Sequence, residues 1–383
     1  MDNAALSRIC AGQKTIALAV SGGSDSTALL CHISPWARAA GLSVHVYTVD
    51  HQLRPESADE AVHVSKLAKS LGWHHDTLIW TTPRKSQAAA RDARLRLLSR
   101  AAQRSGAGIL MTGHTRDDVA ETMWMRKARG AAELNWVGPL PVSASPVWPE
   151  GRNLTIVRPL LATRRKALRQ MLAGAGQSWR DDPSNQDDHF ERVRARRALS
   201  SQDSPSGDNL LMRMQRRADH NRRLSADLQN AAVTGDGLIT LNAQRLDTNS
   251  LRETLAVLIR IASGTDKTPG RDNVAAVFTM TGRTTLGGAW IKRRGHVFEL
   301  GRDPGLANRR WTGGLWDGRY ERAAGIDRPE EIAFILRESA PQGKGWREIV
   351  SERLQHEIDC LAASGELATP ITRINGAARA TPA

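Results

Sequence analysis

Residues 15–26 read Thr15-Ile16-Ala17-Leu18-Ala19-Val20-Ser21-Gly22-Gly23-Ser24-Asp25-Ser26, a short apolar run closed by two glycines and three serines. The run is continuous rather than alternating, which fits a strand buried on both faces, and Thr27-Ala28-Leu29-Leu30 starts a helical pattern directly behind the loop. A strand, a tight glycine loop and a helix, in that order, form the unit from which parallel α/β sheets are built, so no other segment constrains the fold as much. The downstream pattern continues it. Strands are expected at 43–50, 75–80 and 108–113, and helices over 55–71, over 87–104 and from about Asp117. Strands and helices alternating at this pace imply a doubly wound, parallel α/β domain over the first ~140 residues, with right-handed crossovers.

The loop Ser21-Gly22-Gly23-Ser24-Asp25-Ser26 stands at the carboxyl end of its strand, where open α/β sheets bind ligands. Two glycines let consecutive N–H groups turn inward, serine hydroxyls add donors, and the helix start adds partial positive charge; together they form a nest for an anion, phosphate above all. No Gly-Lys-Ser/Thr ends the loop, so it is not a Walker A sequence, and the Gly-x-Gly-x-x-Gly dinucleotide fingerprint is missing from it too. Taken alone, the segment is also compatible with an ordinary serine-glycine turn.

Charge narrows the partner. Lys plus Arg number 54 against 40 Asp plus Glu, for a net charge of +14, and with only nine lysines the excess is carried by arginine. Arginine's planar fork suits phosphate better than an ammonium does. Residues 152–223 hold 16 basic and 8 acidic side chains, so +8 of the surplus lies in under a fifth of the chain. Backbone phosphates of a nucleic acid are the natural use of such a segment, although compositional drift onto a solvated surface would give the same total.

At 383 residues the chain exceeds the usual single-core size, so two or more domains are expected. Beyond Trp136 the composition changes: a Pro-, Gly- and Ser-rich loop over 138–149, a basic helix over 163–173, and a linker-like stretch over 200–208. Helical spacing returns at 209–228 and 251–262, and 285–301 reads as a hairpin turning at Arg294-Gly295. There Lys292, Arg293 and Arg294 beside Trp290 suit RNA, and equally suit a solvated turn. No apolar stretch reaches about 18 residues, which excludes a membrane-spanning helix. The opening MDNAALSRIC lacks the basic segment and apolar core of a secretory leader, so a cytoplasmic location is expected. Cys10, Cys31 and Cys360 form no Cys-x-x-Cys pair, which argues against zinc ribbons and paired-thiol chemistry.

A series of segments in order carries a resemblance to a known family. The Ser21–Ser26 loop resembles the PP-loop of the N-type ATP pyrophosphatases. Val49-Asp50-His51-Gln52-Leu53-Arg54-Pro55-Glu56-Ser57 resembles a strand-end signature, VxHxLRxES, of the tRNA(Ile)-lysidine synthetases. Ala90-Arg91-Asp92-Ala93-Arg94 is similar to that family's ARxxR helix, with Leu95 where a tyrosine is usual, and Gly113-His114-Thr115-Arg116-Asp117-Asp118-Val119-Ala120-Glu121-Thr122 to its HxxDDxxET motif, with Val119 in place of a glutamine. Arg158-Pro159-Leu160-Leu161 and Asp182-Pro183-Ser184-Asn185 close the series. The resemblance covers residues 14 to about 200 and is vague beyond.

The resemblance implies a Rossmann-like fold with a PP-loop over 1–140, a basic extension over 141–204 that completes the catalytic half and a tRNA-binding region over 205–368; the residues of the tail, 369–383, are themselves expected to be disordered. It implies ATP binding by Ser21, Gly22, Gly23, Ser24, Asp25, Ser26 and His51, with Asp25 placed for Mg²⁺. Lysine would be recognised by Asp118 and Glu121. Catalysis would rest on Asp25, Arg94, His114, Asp118 and Glu121, and tRNA contact on Arg129, Arg158, Arg192, Arg194 and Arg196. Val193 stands where the family usually has asparagine. The partners implied are isoleucine tRNA and free lysine, with no membrane; a homodimer is compatible with the sequence.

The residues themselves leave alternatives open. Asp118 and Glu121, three apart on one helix face, could grip an ammonium group or could be a solvated acidic face paired with Arg116, Arg126 and Lys127. Arg91 and Arg94 would repel one another unless an anion lay between them. Three rival functions share the loop: tRNA thiolation, which would need a persulfide cysteine pair or an iron–sulfur site; glutamine- or ammonia-dependent amidation, which lacks the HxxDDxxET motif; and a non-catalytic RNA-binding relative.

Overall fold

The computed structural model describes residues 1–52, 57–81, 83, 86–131, 133–180, 191–201, 207–234, 238–265, 268–280, 282–303, 311–312, 315–316, 320–321 and 346–362. Positions 53–56 of the second signature, the segment 182–185, most of the 200–208 linker and the 369–383 tail lie outside the described residues.

The first compact unit comprises Met1–Ser145 and Asn153–His220. It opens with helix α1 (Asn3–Ile9) and strand β1 (Thr15–Ala19), followed by α2 (Ser24–Ala39), β2 (Ser43–Asp50), α3 (Ser57–Ser70), β3 (His74–Ile79), α4 (Gln87–Arg104), β4 (Ile109–Thr112) and α5 (Arg116–Ala128). Then come β5 (Val142–Ala144), β6 (Thr155–Val157), α6 (Arg165–Gly174), α7 (Glu191–Ser201) and α8 (Gly207–Leu228). Each expected element of the first 128 residues is present, with its ends within about two residues of the expectation.

Among the described residues the sheet runs β3-β2-β1-β4-β6-β5, parallel from β3 through β6 and closed by an antiparallel β5. The chain leaves central β1 for β2 and β3 on one side and then crosses to β4 on the other. The order therefore reverses between β1 and β4, and a crevice at the carboxyl ends of the strands is expected there. Both faces of β1 are covered, which is why its run is continuously apolar: Ile16 and Leu18 join the core that holds α2, α3 and α6, while Ala17 joins the opposite core with Leu98, Ala101 and Ala102 of α4.

The second unit comprises Pro146–Arg152 and Asn221–Ala362. The division between the two units falls at His220/Asn221, inside the unbroken helix α8. Its sheet runs β7 (Ala231–Val233), β8 (Ile239–Asn242), β11 (Val297–Arg302), β10 (Ala289–Arg294) and β9 (Arg283–Leu286), all antiparallel. The β10–β11 turn lies at Arg294-Gly295, as the pattern predicts, with Gly295 at φ +62°. Helices α9 (Thr248–Ser263), α10 (Arg271–Ala276) and α11 (Trp346–Ala362) accompany this sheet, and Leu255, Leu258, Ile291, Phe298 and Leu354 share its core. Arg283 stacks over Trp290 at 4.4 Å from the ring centroid.

In the first unit the turn after β4 comes so close to the start of α2 that Gly113 has no room for a side chain: a Cβ there would stand 2.9 Å from the Asp25 carbonyl oxygen and 2.9 Å from Ser26 Cα. Both neighbours are backbone, which cannot swing aside. Gly113→Ala is expected to destabilise the chain by about 1–3 kcal/mol through overpacking, read from urea denaturation followed by far-UV circular dichroism; an unchanged midpoint would show that the two loops can separate at no cost.

Candidate active site

The loop between β1 and α2 is built to leave donors free. Gly22 takes φ +87°, a conformation costly for any residue with a side chain, and this turns the chain back toward α2. The Ser21 N–H donates to Ser26 Oγ at 3.1 Å, Ser26 Oγ donates to the Gly23 carbonyl at 3.1 Å, and Thr27 Oγ1 donates to the Gly22 carbonyl at 3.3 Å. The hydroxyls of Ser26 and Thr27 thus hold the loop's shape. Gly23 caps α2 without a side chain, so no capping oxygen satisfies the helix's first N–H groups. Uncapped amides with a helix dipole behind them attract an anion.

Asp25 lies in the first turn of α2, and its Oδ2 accepts from Arg165 Nε at 2.7 Å, while Ser24 Oγ donates to Oδ1 at 3.2 Å. Burial raises its pKa, opposed by Arg165 and reinforced by the nearby negative charge of Asp118. A second positive group at this carboxylate would therefore be favoured.

Asp118 and Glu121 project from α5 together, as their spacing predicts, but into the protein rather than into solvent: both are buried, Glu121 at 1% exposure. The solvated-face alternative therefore fails. Asp118 Oδ2 accepts from the Thr115 N–H at 2.7 Å and from Thr115 Oγ1 at 2.8 Å, which fixes the start of the helix. Its Oδ1 accepts from Arg192 Nη2 at 2.9 Å and Arg165 Nη2 at 3.3 Å. Glu121 accepts from Arg192 Nε at 2.8 Å, Arg196 Nε at 2.9 Å and Arg165 Nη1 at 3.1 Å. Burial works against the Asp118 charge, yet Arg192, His114, Arg165 and the Thr115 N–H together hold its pKa below the ordinary carboxylate value.

Arg165 went unnoticed in the sequence, and it touches all three acids. It is the first residue of α6, where the helix dipole disfavours a cation, and its own N–H donates to Asp117 Oδ2 at 2.8 Å. A basic residue opening a helix was the signal available: such a residue needs carboxylates nearby. Arg192 and Arg196, expected at tRNA phosphates, instead lie on these acids, and Arg129 pairs with Glu191 through both Nε and Nη2. Of the three arginines expected from α7, Arg194 is the one on its exposed face.

Beside this balanced cluster is an unbalanced one. Burial lowers the Arg94 pKa to about 10, helped by Arg91 and Arg192, and lowers that of Arg158 to about 9, helped by Arg91. Among the described residues no carboxylate bonds Arg91 or Arg94. Arg158, also expected at tRNA, is buried at 7% exposure; its Nη1 donates to the Leu140 carbonyl at 2.6 Å and Ser143 Oγ at 3.0 Å, and its buried Nε has no partner among the described residues. His114 sits among these cations. Burial first, then Arg158, holds its pKa well below the ordinary histidine value, with Asp118 opposing, so the ring is neutral at pH 7; its Nδ1 shares a hydrogen bond of 2.8 Å with Thr112 Oγ1. His51, just after β2, stands edge-on to Trp80, and its buried Nδ1 likewise has no partner among the described residues. Orphaned polar atoms around buried cations are the environment an anionic ligand would complete. The sulfur alternatives gain nothing: Cys10 and Cys31 are buried, with burial pushing their thiols up to about 12 and about 11.

The PP-loop domain family matches residues 2–202. The chain is 47% identical over 184 residues to the tRNA(Ile)-lysidine synthase of Hyphomonas neptunium, spanning 48% of this chain and 50% of that protein. It is 39% identical to that of Mesorhizobium japonicum, over 68% of this chain and 60% of the relative, so the match spans little more than half the length of these relatives. With the synthase of Caulobacter vibrioides it shares 34% identity over 339 residues, covering 82% of this chain and 75% of the relative. Among solved structures, the U34-tRNA thiolase NcsA from Methanococcus maripaludis with its [4Fe-4S] cluster is 14% identical with a TM-score of 0.43, over 50% of this chain and 68% of that one. A PP-loop domain over half the chain and relatives that extend through most of the remainder make the chain a member of the tRNA(Ile)-lysidine synthase family.

Proposed function

We propose that this chain joins lysine to carbon-2 of the cytidine in the first anticodon position of an isoleucine tRNA, at the expense of ATP. The observation that carries the proposal is the juxtaposition of an uncapped, glycine-turned loop with a buried acid pair and a set of arginines that bond no carboxylate among the described residues. Each half suits one reactant. Cationic Arg91, Arg94 and Arg158, with the loop amides, suit ATP phosphates and the adenylate; Asp118 and Glu121 suit an ammonium group, for which Arg165, Arg192 and Arg196 now stand in.

In the first step the cytidine carbonyl oxygen attacks the α-phosphate of ATP and pyrophosphate leaves. In the second, lysine's ε-amine attacks the activated carbon and AMP departs. The residues contribute position and charge rather than a covalent nucleophile. Loop amides hold the pyrophosphate; Arg94 faces the adenylate; Asp118 and Glu121 orient the lysine. A neutral His114 adds no further positive charge beside the attacking amine and can take up the proton it releases. Asp25, whose buried carboxylate is incompletely neutralised, fits a Mg²⁺ site, and the ion when bound would offset charge on the departing pyrophosphate. Arg194 in the basic extension and Arg129 at the end of α5 are candidates for phosphate contact.

Mass spectrometry of isoleucine tRNA incubated with the chain, ATP, Mg²⁺ and lysine should show the lysine adduct, and its absence with the protein folded would refute the proposal. Asp25→Ala should lower adenylation, read as tRNA-dependent ATP–pyrophosphate exchange, by at least about 100-fold. Glu121→Gln should spare exchange more than lysine transfer; equal losses would contradict the assigned roles. Because the buried Glu121 accepts from three guanidinium groups, of which those of Arg192 and Arg196 still reach solvent, Glu121→Ala should also cost about 1–3 kcal/mol in urea unfolding, and an unchanged midpoint would mean the arginines find other partners. Arg194→Ala should weaken tRNA binding and reduce the slope of log K against log salt by about 1. An unchanged slope removes it from the contacts.

A further inference from the structure

Away from the site just described, the start of the sheet carries a second cluster of donors. In the parallel pairing of β2 with β3, His45 lies opposite His74 and Tyr47 opposite Asp76. Alternation along a strand puts His74 and Asp76 on one face, two residues apart, and the pleat puts His45 beside them. The imidazole centroids of His45 and His74 are 5.1 Å apart, and His74 Nε2 lies 3.2 Å from Asp76 Oδ2. One donor atom from each of the three residues falls within 4.8 Å of the other two. β3 is the edge strand, and His74 and Asp76 are exposed while His45 is half-buried, so the group is open to solvent on one side and held by the ladder on the other.

The structure assigns to His45, His74 and Asp76 a binding site for a divalent d-block cation of the zinc, cobalt or nickel type. The donor set decides the class: two imidazoles and one carboxylate match these borderline ions and leave positions for water, whereas Mg²⁺ and Ca²⁺ prefer oxygen alone. The spacing decides the feasibility. With metal–donor bonds of about 2.0–2.2 Å, adjacent tetrahedral ligands stand about 3.3 Å apart; the His74–Asp76 pair is already near that distance, and the third donor needs only side-chain adjustment. The ordinary role of polar residues on an edge strand, blocking edge-to-edge pairing, asks only that they be polar; it does not require two histidines in register with a carboxylate beside them. The site stands at the amino ends of the strands, opposite to the Ser21–Ser26 loop at the carboxyl ends, and is independent of the proposed ligation.

Titration of the full chain with Co²⁺, in excess Mg²⁺ so that oxygen sites are filled, tests it by the visible d–d absorption of bound cobalt. One equivalent should bind and be displaced by Zn²⁺. His74→Ala, Asp76→Asn and His45→Gln should each weaken binding by at least ~10-fold, with far-UV circular dichroism and ATP–pyrophosphate exchange unchanged, since none of them lies at the ATP loop. Unaltered cobalt binding in the three variants, loss of the signal in Asp25→Asn instead, or no saturable absorption at all would overturn the assignment.

Discussion

Arg165 is the contact on which the catalytic half depends. Its guanidinium bonds Asp25 from the glycine loop and both Asp118 and Glu121 from α5, while its own N–H donates to Asp117, so one residue at the start of α6 ties three segments distant in sequence to a single point. With Arg192 and Arg196 from α7 the count is balanced, three guanidinium groups against three carboxylates. Such a cluster adds little net stability, because desolvation offsets much of the attraction, but it tolerates poorly the loss of a buried member such as Arg165, since the carboxylates left behind are largely shut off from water. Its value is positional. It holds the loop, the acid pair and the basic extension in register while keeping charges in the interior that a substrate can exchange with.

Beside this neutral cluster, Arg91, Arg94 and Arg158 form a cationic one, and the contrast polarises the site. Burial and their own repulsion depress their pKa values, and burial together with these cations lowers the pKa of His114. A phosphate entering there gains charge-assisted hydrogen bonds to guanidinium groups that bond no carboxylate among the described residues; an ammonium entering at Asp118 and Glu121 meets acids already solvated by guanidinium. Both halves lie at the carboxyl edge of the sheet because the order reverses between β1 and β4, and they can touch because Gly113 lets the β4 turn approach the start of α2.

Much of this was legible from residue order. The continuous apolar run of β1, the glycine loop and the alternation of strands with helices identified a doubly wound sheet, and the spacing of Asp118 and Glu121 put them on one face. What spacing could not say is which way that face points. A pair of acids on a helix beside Arg126 and Lys127 is as consistent with solvent as with burial, and only the packing of α7 against α5, with Arg165 reaching in from the start of α6, covers it. The same packing moves Arg192 and Arg196 from an expected phosphate surface onto Glu121. Arg158 is placed for another reason: it follows β6, a strand too short to announce itself, and its side chain reaches the Leu140 carbonyl just before β5 and Ser143 within it.

Sequence alone therefore determined the class of fold, the glycine-turned loop and the family, because these depend on local order: periodicity, glycine at a turn, motifs in sequence. Tertiary structure decided which charges meet. Arg165 lies 140 positions from Asp25 along the chain, and no local pattern encodes a contact of that range. Basic residues that look like one undifferentiated surplus in the composition divide, once folded, into those that neutralise buried acids, those such as Arg94 and Arg158 that are buried and bond no carboxylate among the described residues, and those such as Arg194 with exposed side chains. Burial makes the division, since inside the protein each charge must be answered by a specific partner, whereas at the surface water answers all of them alike.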